Sequence, residues 1–243
     1  MPEELPFTAL LNHIFGGAAN ALLEALHLAH NPRAPITNFV AMQILVVGLL
    51  LVVFLLVRAR LSVENPGGLQ HIFEGLQDFV TGQSREIIGP HSEEFTPFLV
   101  ALGVFILTCN LLGLVPAFES PTAVPSVPLG CALVAFFYYH AQGIKRQGPL
   151  NYAKHFGGPM IWLAPLMIPI EIISHLARVL SLTIRLFANM FAGDMVTLVF
   201  FSLVPIGIPV IFLGLHMAVS LLQAYIFVLL TTVYLAGAVA EEH

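Results

Sequence analysis

Two apolar stretches near the end of the chain are too long for an ordinary membrane crossing. Ile170–Phe201 runs for 32 residues and Ile206–Val239 for 34, and as helices they would span about 48 and 51 Å. The hydrocarbon core of a bilayer is only about 30 Å thick. Neither stretch contains a turn signal that would split it into two crossings. Pro205, Gly207 and Pro209 mark a hairpin between them. A straight helix of that length held inside the core must tilt by roughly 50°, beyond the usual limit of about 40°. The sequence therefore predicts two long, steeply tilted helices packed as a hairpin, over 160–201 and 206–239. Lipid packing gives no reason for such a tilt, whereas wrapping against a large curved partner does.

The rest of the chain agrees with a membrane setting. It is 58% hydrophobic and 9% charged, against about 25% charged residues in a soluble domain. Such a chain lacks the charge to cover itself with a solvated surface. A soluble enzyme and a disordered protein are excluded. So is a nucleic-acid binder, which needs a basic excess, because the net charge here is −5. Cys109 and Cys131 lie in apolar stretches and do not suggest a disulfide framework. The N-terminus carries Glu3 and Glu4 and no basic run, so it does not read as a signal peptide. Residues 1–35 form a leader with apolar residues at helical spacing. Its His13, His27 and His30 match no ligand spacing and read as exposed side chains rather than a metal site.

Between leader and hairpin, 39–57 is a first span whose only strongly polar member is Gln43. Residues 69–88 differ. Leu69, Ile72, Phe73, Leu76, Phe79 and Val80 recur at steps of three and four, opposite Glu74, Asp78 and Arg85, as in an amphipathic helix lying on the membrane surface. Two more spans follow at 95–115 and 128–144, joined by the Pro-rich loop 116–125. That loop carries Glu119 but no Lys or Arg. The expected fold is an all-α membrane protein with five crossing helices and one surface helix, residues 36–243 forming a single membrane domain. Basic residues cluster at Arg58/Arg60 and at Lys145/Arg146/Lys154. The positive-inside rule puts both clusters in the cytoplasm, the N-terminus and the Glu119 loop outside, and the C-terminus in the cytoplasm.

Ionisable groups inside lipid cost about 2.5–3.5 kcal/mol each, yet the hairpin contains Glu171, His175, Arg178, Arg185, Asp194 and His216. At 100° per residue, Glu171, Ser174, Arg178, Ser181 and Asn189 all fall within about 40° of Arg185. Asp194 falls on the opposite side and about 14 Å further along. On the second helix, Ser220, Gln223 and Tyr234 fall within about 40° of His216. Helix packing alone is satisfied by Ser, Thr or Gly. A hydrated ion path around a fixed positive charge explains the seam better.

The run Ser181-Leu-Thr-Ile-Arg185-Leu-Phe-Ala-Asn189-Met-Phe-Ala-Gly193-Asp194 closely resembles the signature of subunit a of the F-type ATP synthase membrane sector. So do Leu221-Leu-Gln223-Ala-Tyr-Ile-Phe with His216 seven residues earlier, Tyr234-Leu, and the closing Glu241-Glu242-His243. Asn110-Leu-Leu-Gly-Leu-Val-Pro116 with Pro121-Thr122, and Tyr152-Ala-Lys-His-Phe-Gly-Gly-Pro159, are similar to other parts of that family, so the likeness covers the chain from about residue 36 onward. There are departures. Ala188 replaces a usual Gly, and Asp194 is one methylene shorter than the more frequent Glu. Arg178-Val179 stands where a basic residue is often followed by Pro, and Gly113 holds a position that is acidic in some members.

The resemblance implies a stator beside a rotating c-ring whose hairpins each carry one essential carboxylate, with protons as the transported ion. Arg185, always protonated, would attract that carboxylate, favour its ionised form and block direct proton leak. Asp194 and His216 would serve the outer access channel, with Asn110 as a hydrogen-bonding wall, and Glu171 with Ser174 the inner one. Gln223 would hydrogen-bond Arg185 across the hairpin, beside Asn189. The other expected partners are peripheral-stalk subunit b and membrane lipid, and the implied location is the bacterial plasma (inner) membrane, multi-pass. No cofactor is implied, and no P-loop GxxxxGK[ST] occurs, so nucleotide chemistry belongs to partner subunits. A stand-alone ion-coupled secondary transporter is the alternative. It calls for internal repeats and broken helices, and no repeat is visible.

Overall fold

Long apolar runs, tolerant of interior glycines, give seven α-helices among the described residues, which contain no strand. The computed structural model describes residues 5–27, 31–32, 34–64, 66–90, 92–115, 118–149, 152, 164–203 and 207–240. The helices are α1 (Pro6–Ala25), α2 (Asn38–Ala59), α3 (Gly68–Ile88), α4 (Thr96–Leu112), α5 (Ser126–Gln147), α6 (Ala164–Leu203) and α7 (Ile208–Val239). Short 3₁₀ turns at Ser92–Glu94 and Pro121–Ala123 precede α4 and α5. His30, Lys154, the segment 153–163, Pro205, Ile206 and the closing 241–243 lie outside the described residues.

Four helices, α2, α5, α6 and α7, are long and apolar enough to cross a membrane, and α4 is a shorter apolar helix. Their outward faces carry Leu51, Leu55, Leu180, Leu198 and Leu222, all about half exposed or more. A surface of this kind is at home in lipid, as expected of a helical membrane protein. α6 is 40 residues and α7 is 32, about 60 and 48 Å of helix. α6 is continuous through Pro169, whose missing N–H removes one bond near the helix start.

The core sits among α4, α5, α6 and α7. Leu102 and Ile106 of α4, Ala132 and Ala135 of α5, Leu182, Leu186 and Met190 of α6, and Phe227 of α7 form its centre. A second cluster at the end bearing Lys145 and Arg146 joins Val80 of α3, Phe95 and Leu99, Tyr139 of α5, and Leu235 and Val239 of α7. This basic end is further tied by Arg146, 3.4 Å from Glu94 and stacked over Phe95. The amphipathic α3 packs against α4 and α7, with Gln83 donating to the Tyr225 hydroxyl at 2.7 Å. α1 rests on α2 through Leu11, Ile36 and Ala41. Both cysteines are buried and free.

Candidate functional site

Long helices set the site by carrying polar groups at fixed phase. On α6, the residues turned into the core are His175, Val179, Leu182, Leu186 and Met190. Glu171, Ser174, Arg178 and Arg185 run along the edge of that buried face and are half-buried, while Asn189 continues the line more exposed. The polar stripe thus borders the core on one side and the open face of α6 on the other. Arg185 sits near its middle and donates to Ser181 Oγ at 3.4 Å.

Gln223 is buried on α7, and its Oε1 accepts from Asn189 Nδ2 at 2.6 Å. The sequence reading paired Gln223 with Arg185. The structure instead gives Gln223 to Asn189, one turn further along the same stripe. Arg185 makes its bond along its own helix, to Ser181 Oγ.

Asp194 projects from another side of α6, as its phase requires. There it meets His216 of α7, with Oδ1 3.7 Å from Nδ1. Both line a cleft of about 810 Å³ together with Gly113, Glu119, Ser120 and Thr197. Gly193 makes the approach possible: a Cβ at that position would lie 3.1 Å from three atoms of the His216 ring. Gly113 is equally constrained, because a Cβ there would come within 2.7 Å of Ser120 Cβ. A larger side chain at that position has no room here. Glu119 contributes a carboxylate to the same cleft from the loop and accepts from Asn38 Nδ2 at 3.5 Å.

Asn110 does not line the cleft. It is fully buried behind it, accepting from Thr122 Oγ1 at 2.6 Å and donating to the Ser220 carbonyl at 3.3 Å. Its polar atoms are occupied in pinning the α4–α5 loop to α7. At the other end of α6, Glu171 Oε1 lies 3.2 Å from His175 Nε2. Ser174 shares that turn of the stripe and is half-buried.

Several partners were not legible in the sequence. The Tyr139 hydroxyl meets His175 Nδ1 at 2.9 Å, and the Arg178 guanidinium lies 5.0 Å from the Tyr234 ring centroid. These contacts cross between helices distant in the chain, and no spacing rule announces them. Among the described residues no group of three or more His, Cys, Asp or Glu is placed to hold a metal ion.

Comparison with known proteins identifies the family. The family described as ATP synthase A chain matches residues 40–236. The chain is 57% identical to the ATP synthase subunit a of Koribacter versatilis (strain Ellin345) over the full length of both. It is 53% identical to the ATP synthase subunit a of Solibacter usitatus (strain Ellin6076), covering 96% of this chain and 100% of the relative. A third relative, from Geotalea uraniireducens (strain Rf4), is 40% identical over 91% of this chain and 94% of its own. Coverage of this extent, on a helical scaffold suited to a multi-pass inner membrane protein, settles the family: this chain belongs to the subunit a family of the F-type ATP synthase membrane sector.

Proposed function

We propose that the chain is the proton-channel stator of a rotary ATP synthase, passing protons to and from the carboxylates of a c-ring through two offset half-channels. One observation carries this: three charged stations are separated along α6, with Asp194 turned away from the stripe that holds Arg185 and Glu171. Asp194 and His216 meet at the cleft, Arg185 stands about 14 Å away on the opposite side of the helix, and Glu171 lies about 21 Å beyond Arg185. A path from cleft to Glu171 is thus interrupted in space. A proton must leave one station, travel on a moving carrier past Arg185, and exit at the other.

The chemistry of each station suits its part. A carboxylate against an imidazole exchanges protons with water in the cleft. A guanidinium keeps its charge and so attracts a ring carboxylate in its ionised form while repelling a free proton. Glu171 with Ser174 and His175 serves the cytoplasmic side. In this arrangement the N-terminus and the cleft face outward, the C-terminus faces the cytoplasm, and five helices cross with α6 and α7 steeply tilted against the ring. Peripheral-stalk subunit b holds the stator still. One charge crossing 100 mV releases about 2.3 kcal/mol, so several protons must pass per ATP, as a ring of carboxylates allows.

The test is Arg185→Ala in the assembled complex in liposomes. Coupled ATP synthesis should disappear while the complex still assembles. Normal ATP-driven proton pumping by that variant sinks the mechanism.

A further inference from the structure

The basic end of the bundle holds a cluster of titratable side chains that no sequence motif announces. Tyr139 and His140 come from α5, Tyr152 from just beyond it, Glu171, His175 and Arg178 from α6, and Tyr234 from α7. Two tyrosine–histidine pairs lie side by side: Tyr139 Oη is 2.9 Å from His175 Nδ1, and Tyr152 Oη is 2.6 Å from His140 Nδ1. The two imidazole rings are 4.7 Å apart. The first pair reaches a carboxylate through His175 Nε2 and Glu171 Oε1 at 3.2 Å. Tyr139 is 2% exposed and His175 9%, so little water can replace a lost partner there.

We propose that Tyr139 is a positioning residue for proton exchange between Glu171 and His175. The inference rests on the assignment of Glu171 to the cytoplasmic half-channel, and it adds α5 as the second wall of that path. When Glu171 is ionised and His175 neutral, the proton sits on Nε2 facing the carboxylate, and the Tyr139 hydroxyl donates to Nδ1. When the pair holds one more proton, Nδ1 is protonated and donates to Tyr139 Oη. Exchange then moves that extra proton between the two partners: the O–H bond of the Glu171 carboxyl breaks as the Nε2–H bond forms, giving carboxylate and imidazolium. A hydroxyl serves every one of these states by turning about its C–O bond. A phenyl ring serves none, and the buried hydrogen bond to Nδ1 is lost, which is costly. The charge already present sharpens the requirement. Arg178 is fixed as a cation against the Tyr234 ring, and His140 stands over His175. The imidazolium is therefore tolerated only while Glu171 and Tyr139 hold both of its N–H groups.

The experiment uses the intact complex in liposomes with the ATP-hydrolysing side outward. The pH of the outer medium is varied at fixed internal pH, and ATP-driven proton pumping is measured for Tyr139→Phe, Glu171→Gln and Tyr152→Phe. Tyr139→Phe should lower pumping by about fivefold, the weight of one buried hydrogen bond, and displace the outer-pH profile. Tyr152→Phe, which keeps both the Tyr139–His175 bond and the Glu171–His175 contact, should displace the outer-pH profile less than Tyr139→Phe does. His175→Gln retains a donor and an acceptor but does not titrate, so it should displace the same profile, and it provides the measurement if Tyr139→Phe fails to assemble. An unchanged outer-pH profile in Tyr139→Phe, or in His175→Gln where that variant stands in, overturns the inference alone. An unchanged profile in Glu171→Gln overturns the half-channel assignment and this inference with it.

Discussion

The two ends of α6 each carry a carboxylate against an imidazole, and they are built differently. Glu171 and His175 belong to one helix, four residues apart, in contact at 3.2 Å and braced by a tyrosine from α5. Asp194 and His216 belong to different helices, stand 3.7 Å apart, and border a cleft of about 810 Å³. The first pair is local, set by spacing within one helix. The second depends on how closely α6 and α7 pack and on the space beside it. A pair made by spacing alone survives small shifts of the bundle, whereas a pair made by packing responds to them. The cleft end is therefore where proton access is most sensitive to substitution.

The comparison breaks most sharply at the cleft pair itself. Asp194→Asn should reduce proton-driven ATP synthesis by about 10²–10⁴-fold, the range for a positioned proton-transfer group. Adding His216→Ala to that variant should cost little more, because the two act as a unit and units are non-additive. ATP synthesis rates in liposomes from the two single variants and the double variant form the check. Full additivity would separate the residues and end the case for a pair.

A smaller effect should follow from crowding the pair without touching its chemistry. Gly193→Val places side-chain atoms where the His216 ring lies, since even a Cβ would sit 3.1 Å from three of its atoms. Overpacking of this kind costs about 1–3 kcal/mol, so proton-driven synthesis should fall by about tenfold. Among the described residues no glycine lies against the His175 ring in this way. Wild-type rates in Gly193→Val would mean that the cleft pair tolerates displacement as readily as the local one.

The same contrast explains what could be read before any coordinates. The amphipathic α3 and the long apolar runs of α6 and α7 follow from residue periodicity and length. The stripe through Arg185 follows because phase along one helix is a property of sequence. Glu171 against His175 is within reach of the same rule, being four residues apart. Contacts between helices are another matter. Gln223 bonds to Asn189 rather than Arg185, and Asn110 is consumed by Thr122 and Ser220, because axial offset and rotation of neighbouring helices decide which polar atoms meet. Glu119 reads only as the acidic member of an outer loop, yet it lines the cleft where Gly113 and Ser120 close against each other. Each of these depends on packing, and one sequence contains no direct record of it.

The mildest test concerns the wall behind the cleft. Thr122→Val is close in shape but withdraws the hydroxyl that donates to Asn110 Oδ1 at 2.6 Å. Both residues are fully buried, so the amide oxygen loses its partner at a cost of about 1–3 kcal/mol. The loss should appear as a lower unfolding temperature of the purified complex, because Thr122 and Asn110 hold the α4–α5 loop against α7. Proton-driven synthesis should stay near wild type at moderate temperature, since neither residue belongs to the Asp194–His216 pair. If synthesis instead falls as far as in Asp194→Asn while the unfolding temperature is unchanged, Asn110 belongs to the proton path itself, and the cleft end has three exchanging groups rather than a pair with a rigid support behind it.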